Sequence, residues 1–387
     1  MPMQKQIFPL ARIWLLFVLA LGAVASAQAQ PITVVDAVGR AVHIEAPAKR
    51  IILAQARHYP VLALLHPDPS SLVVGWSDEL RTSFSDDYRT YLEHSPRLAD
   101  IPIVGRHTPD TFSVEKALSL RPDLVILAPR FAGGTTKEQI DASPLMRRFA
   151  AAGVPVLVID FFIQPMEHTL PSLKALGAAL GEEQRTQEFI DFYQAHMQAV
   201  KQRLAGLPDS QRPSVFMHVH AGSTECCNSP GTGTFDEMIQ YAGGHNIGAD
   251  ALKAATGRLS FEYVNARQPK IYIATGTGAG TRASTGLAIG RDTTVAAARA
   301  SLQRIIGADK LGGLPAVRNG NAHGIWHGFN DSPLHVVFIE ALAGWIHPRR
   351  MAGISAQKTL DEINRRFLSV PMTGTYMVEL HAEPAQP

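Results

Sequence analysis

Ser113-Val-Glu115-Lys-Ala-Leu-Ser-Leu-Arg121-Pro122-Asp123, running into Leu124-Val-Ile-Leu127, sets the reading of this chain because the phrase returns 147 residues later. The second copy is Ser260-Phe-Glu262 through Gln268-Pro269-Lys270, running into Ile271-Tyr-Ile-Ala274. In each copy Ser is placed to cap a helix, and Glu in the first turn meets the positive end of the helix dipole. The proline excludes the residue before it from helical geometry, and a short β-rich strand follows. Two copies of Ser-x-Glu-x6-Pro at matched spacing predict two lobes built on one plan, with a cleft between them.

Residues 1–27 read as an export signal. Lys5 and Arg12 precede the apolar run 13–25, which is too short to span a bilayer, and Ala25-Ser26-Ala27 supplies a small-x-small cleavage site. Cleavage is expected after Ala27, with Ala27-Gln28-Ala29 the second choice and an uncleaved anchor helix the alternative. The first cysteine is Cys226, so no thiol stands at the cleavage site to carry a lipid. The mature protein is expected to be soluble, monomeric and periplasmic, with secretion into the medium as the alternative. Loss of two basic signal residues from 36 leaves 34 Lys and Arg against 34 Asp and Glu. That balance asks for neither nucleic acid nor an anionic membrane. About 360 remaining residues exceed one comfortable core, and 46% of the chain is apolar, enough for a substantial interior.

Ile32-Thr-Val-Val35 and Ala41-Val-His-Ile44 flank a Gly-containing loop and predict a β-hairpin. Strands then alternate with helical segments at 50–54, 71–74, the first repeat copy and 154–159. Their apolar runs are nearly continuous, as expected when helices cover both faces of a parallel sheet. From Met166 to Leu204 the pattern is helical, with a break at Leu180-Gly181. Within 182–204, Phe189, Phe192, Tyr193, Met197, Val200 and Leu204 recur at three- and four-residue steps. Such a helix is about 33 Å long. A second strand–helix series begins at Ser214-Val-Phe-Met-His218 and ends with a long helix near Leu334 to Ile346. The expected divisions are a signal at 1–27, an N-terminal lobe at 28–165, a helical connector at 166–207, a C-terminal lobe at 208–370 and a tail at 371–387. The tail lacks periodicity and is expected to be loosely held.

Ile103-Val-Gly105, Ser113 to Ile126, Gly243-Gly244-x-Asn246 and Asp331-Ser-Pro333 to Trp345-Ile-His-Pro348 together resemble the periplasmic substrate-binding proteins that feed ferric siderophores, haem or cobalamin to ABC importers. The likeness spans roughly 32–348. It implies an α/β fold of two Rossmann-like lobes with central parallel sheets, joined by a single long rigid helix, which 182–204 matches. A stiff connector implies limited hinge motion. The resemblance also implies that one glutamate on each lobe docks onto a basic pocket of the inner-membrane permease dimer. The matching positions are Glu115 and Glu262; the plainer reading is that both only stabilise helix N-termini, by under about 1 kcal/mol each.

In open α/β sheets the binding crevice lies beyond the carboxyl ends of the strands. There the chain places Arg57, His58 and Tyr59, then Trp76, Arg106 and His107, Arg130 and Phe131, and Phe161 and Phe162. The second lobe contributes His220, Thr275 and Trp326-His327. That set is rich in Arg, His and aromatics and poor in acids. Guanidinium groups pair well with carboxylate and catecholate oxygens, and aromatic walls suit a large organic scaffold. A ferric siderophore or related iron complex meets both demands, with no resident cofactor. Haem or cobalamin is the alternative, and His58 with Tyr59 could be axial ligands to haem iron.

His218 and His220 share one face of a strand, and Cys226-Cys227 follow. Neither C-x2-C nor H-x3-H spacing is present, so no metal site is assigned. The adjacent cysteines form a vicinal disulfide or stay reduced. Gly276-Thr-Gly278-Ala-Gly280 departs from G-x-G-x-x-G and lacks the following acid, which argues against a dinucleotide loop. A glycine-rich crevice loop is the better account. The crevice set has no carboxylate–His cluster or activated nucleophile, so the chain does not read as an enzyme.

Overall fold

The computed structural model describes residues 31–45, 47–106, 108–278 and 285–380; the expected export signal, His107 and residues 279–284 of the Gly-rich loop lie outside them. Two five-stranded sheets organise the chain. The first is parallel throughout, in the spatial order Ile103–Gly105, Val73–Ser77, Ile51–Leu53, Leu124–Leu127, Val156–Val158. The second runs His245–Asn246, Ser214–His218, Ile271–Gly276, Ala322–Trp326, Met377–Glu379, and only its last strand is antiparallel. Every residue of Ile51–Leu53, Leu124–Leu127, Val156–Val158, Ile271–Gly276 and Ala322–Trp326 is buried. Continuous apolar runs behave this way when both faces of a sheet are covered. The N-terminal hairpin pairs Ile32 with Ile44 and Val35 with Ala41.

Both repeat copies fold alike. Ser113 Oγ accepts from the Lys116 N–H at 3.2 Å and caps Val114–Ser119; Ser260 Oγ accepts from the Tyr263 N–H at 3.1 Å and caps Phe261–Arg267. Each helix stops before its proline on a residue in the left-handed conformation, Arg121 (φ 49°) and Gln268 (φ 45°). The chain then enters an interior strand of a sheet, Leu124–Leu127 in one lobe and Ile271–Gly276 in the other.

The crossing between the lobes is a helix pair where a single rod was expected. Pro165–Leu180 and Glu183–Arg203 are separated by Gly181, whose φ of 70° favours glycine and ends the first helix. The second has 21 residues and is about 32 Å long. Arg185 ties it to both lobes, with Nε donating to Leu64 O at 3.0 Å and Nη2 to Phe367 O at 2.7 Å. His196 Nδ1 meets the buried Glu340 at 2.7 Å. The turn leading into the pair is held by Asp160, which accepts the N–H groups of Phe162, Ile163 and Gln164 and lies 2.7 Å from His168 Nδ1.

Residues 371–380 are not the loose tail expected. Met377–Glu379 pairs antiparallel with Ala322–Trp326, and Gly374–Thr375 pairs with Gly290–Arg291. Tyr376, Val378 and Leu380 are buried. Three residues of strand are too few to show a period, so burial against the sheet edge left no pattern in the sequence.

Two outcomes are expected. A Cβ at Gly177 would lie 2.5 Å from Thr186 Oγ1, so Gly177→Ala should lower stability by about 1–3 kcal/mol, read from the urea midpoint. The hydrogen bond from Asp160 raises the His168 pKa above 6.5 despite burial. That stabilisation is complete below the unfolded value and is lost as pH rises through the raised folded one. The urea midpoint should therefore fall as pH climbs above about 6.5, and His168→Gln should flatten the fall.

Candidate ligand crevice between the lobes

The carboxyl ends of the two sheets face each other, and an ionic joint ties one lobe to the other. Arg57 follows Ile51–Leu53 on a single 3-10 turn. Its Nε and Nη2 donate to Glu79 Oε1 of its own lobe, and its Nη1 donates to Asp331 Oδ2 of the other lobe at 3.1 Å. His58 Nε2 stands 3.6 Å from Asp331 Oδ1. Burial pushes the Asp331 carboxyl up, but nearby His58 and Arg57 outweigh it and hold it at about 2. Burial also opposes the Arg57 charge, and the two carboxylates more than restore it.

A second joint pairs Asp87 with Arg291, whose Nε donates to Oδ1 at 2.9 Å while Nη1 donates to Pro371 O at 3.0 Å. Exposed Arg89 and Asp292 add a third at 3.4 Å. Phe84 of the first lobe sets its edge against Trp326 of the second, with centroids 6.3 Å apart. Between these joints lies a crevice of about 50 Å³ walled by Leu80, Phe84, Trp326, His327, Asn330 and Leu334. On the second lobe the His220 and His327 rings lie 3.9 Å apart, with Phe235 packed 5.4 Å from His327. Buried Thr275 organises them: its Oγ1 accepts the His220 N–H at 3.0 Å and lies 3.0 Å from His327 Nδ1. His220 holds a φ of 52°, rare for a residue with a side chain.

Of the residues expected in the crevice, Arg57, Trp326 and His327 line it, and His58, His220 and Thr275 adjoin those that do. Tyr59, Trp76 and Phe131 are instead core residues, and the expectation of ligand contact fails for all three. Trp76 lies inside its strand, not beyond it, is fully buried, and packs edge-on to Tyr59, which also packs on Tyr91. Phe131 turns back from the short helix Pro129–Ala132 onto Phe112, which also packs on Phe149. Phe162 is half-buried, and its carbonyl accepts from Thr234 Oγ1 of the other lobe. Arg106 and Arg130 are exposed and have no salt-bridge partner among the described residues. Glu115 is 88% exposed with a long contact to Arg148, and Glu262 is exposed. Cys226 and Cys227 form a vicinal disulfide.

The crevice set read from strand ends was poor in acids; the folded crevice is not. Glu79 and Asp87 sit on helices after the strand, and Asp331 five residues past Trp326. None of the three lies next to a strand end in sequence, so strand-end position does not mark them. Asp331 had a signal, since it opens the Asp331-Ser-Pro333 phrase. Nothing local marks Phe84, Asp87 or Arg291.

Two doubly wound lobes thus meet on a crevice at their strand ends. The family model described as "Periplasmic binding protein" matches residues 62–324, and the chain belongs to that family. Its fold is that of the TroA-like periplasmic binding protein FepB of Veillonella parvula, 24% identical, with a TM-score of 0.81 over 91% of this chain and all of that one. A periplasmic haem-binding protein of Pseudomonas aeruginosa is 19% identical, with a TM-score of 0.51 over 87% of this chain and all of that one. A curated "Cobalamin-binding protein" of Halobacterium salinarum is 26% identical over 251 residues, 63% of this chain. The chain spans 58% of the length of that relative. Membership makes this a binding protein of that family. No helix among the described residues is long and apolar enough to cross a membrane.

Arg57→Ala leaves Glu79 and Asp331 buried without their cation. It should cost about 3 kcal/mol, the low end for breaking a buried pair because Arg57 is 31% exposed. Asp331→Asn, which leaves Arg57 paired with Glu79, should cost less and raise the radius of gyration in small-angle scattering.

Proposed function

We propose that the protein is the periplasmic substrate-binding component of an ABC importer, capturing a ferric siderophore or related iron complex between its lobes and delivering it to the inner-membrane permease. The observation that carries this reading is the His220–His327 pair, set by Thr275 at the carboxyl edge of the second sheet and flanked by Trp326. Imidazoles and an aromatic wall suit a metal complex with an organic scaffold. The anionic groups of such a ligand are assigned to Arg106 and Arg130, since Arg57 is already neutralised by two carboxylates. A crevice of about 50 Å³ is small beside ligand pockets of about 300–1,000 Å³. Loading therefore requires the lobes to part, breaking the Arg57–Asp331 and Asp87–Arg291 joints.

Haem or cobalamin is the second reading. The paired imidazoles suit an axial position, and relatives carry those names. Trp326 borders the crevice and Trp76 is sealed in the core, so fluorescence quenching should report through Trp326. A panel of ferric hydroxamate, catecholate and citrate complexes, haem and cobalamin should give saturable quenching with one class, abolished in Trp326→Phe. Failure of every class sinks the ligand assignment, and a new visible absorption band with haem alone decides for the second reading.

Glu115 and Glu262 are assigned to permease docking. Both stand in the first turn of equivalent helices and are exposed on opposite lobes. Glu115→Ala combined with Glu262→Ala should abolish uptake while ligand affinity is unchanged; uptake at the parental rate removes the assignment.

A further inference from the structure

Below the crevice, inside the second lobe, three metal-ligating side chains converge that the proposed function leaves unused. His218 ends its strand fully buried, stacked on Phe216 with centroids 5.8 Å apart. Its Nδ1 lies 3.2 Å from the Tyr272 hydroxyl and 3.8 Å from Asp309 Oδ2. Its Nε2 has no hydrogen-bond partner among the described residues, and neither does Asp309 Oδ2. A buried imidazole and a buried carboxylate oxygen both left unsatisfied are costly in a folded protein. Cys226 completes the group: the donor atoms of His218, Cys226 and Asp309 all lie within 4.8 Å of one another. Bonds of 2.0–2.3 Å in a tetrahedral shell set donors about 3.5 Å apart, so side-chain shifts of about 1 Å would close the site.

The sulphur is committed to the bond with Cys227, and metal binding needs a thiolate. Cys226 is half-exposed whereas Cys227 is fully buried, so a small dithiol reaches the Cys226 sulphur first. We infer that reduction of the Cys226–Cys227 disulfide creates a divalent-metal site of zinc type, with the Cys226 thiolate, the His218 imidazole and the Asp309 carboxylate as ligands and a fourth position left for water. The step balances. One dithiol thiolate attacks Cys226 sulphur and expels Cys227 as thiolate; the second dithiol sulphur closes the cyclic disulfide and releases Cys226. The dithiol is oxidised by two electrons, the protein disulfide is reduced by two, and the Cys226 proton leaves when the metal binds. Occupancy of this site follows the redox state around the protein and is independent of the ligand in the crevice.

The test uses the untagged chain, treated or untreated with dithiothreitol, desalted without oxygen and titrated with Co²⁺. The reduced chain should bind a single Co²⁺ with a thiolate-to-cobalt charge-transfer band, absent before reduction. Cys227→Ser frees Cys226 and should show the band with no reductant, whereas Cys226→Ser should show none in either state. Asp309→Asn should keep the band and weaken Co²⁺ binding about tenfold or more. Absence of the band in the reduced chain or in Cys227→Ser, with circular dichroism showing native fold, overturns the inference. Persistence of the band in Cys226→Ser overturns it as well.

Discussion

Arginine cannot shed its proton in a protein interior, and the arrangement of the two lobes turns on that fact. Arg57 carries a fixed charge into the seam between the sheets and takes one carboxylate from each side, Glu79 and Asp331. Neither acid is left to itself in a poorly solvated place. The joint orients Asp331 toward His58 and, through the same segment, sets the spacing of Trp326, His327 and Asn330 beside it. Separating the lobes exposes both charges to water, so the desolvation recovered offsets much of the Coulomb energy given up. Such a seam holds closed without being irreversible.

The connector acts differently. Its two helices meet at Gly181, and the second is pinned to both lobes through Arg185 and His196. A helix anchored to both lobes in this way constrains how far they can part.

Much of the architecture was legible because it repeats or is periodic. Ser113 and Ser260 announce caps, Pro122 and Pro269 announce stops, and the apolar runs behind them announce covered strands. The break at Leu180-Gly181 was visible, and the expectation of a single connecting rod came from resemblance, not from the residues. The crevice was less legible because its parts are juxtaposed only in the folded chain. Trp76 and Trp326 look alike as strand-end aromatics, yet one residue of register sends Trp76 into the core while Trp326 borders the seam. Pairs such as Asp87 with Arg291, 204 positions apart, leave no local trace. The last strand, three residues long, lies below the length at which alternation can be recognised.

That last strand bears on the order in which the two lobes form. The first lobe's sheet is complete once residues through Val158 have emerged. The second sheet lacks an edge until Met377–Glu379 arrives, and Arg291 lacks its Pro371 and Thr373 partners until the same stretch is present. One sheet is complete without any residue beyond Val158, whereas the other depends on residues 371–379, so the seam, which needs both lobes, forms only once that stretch is in place.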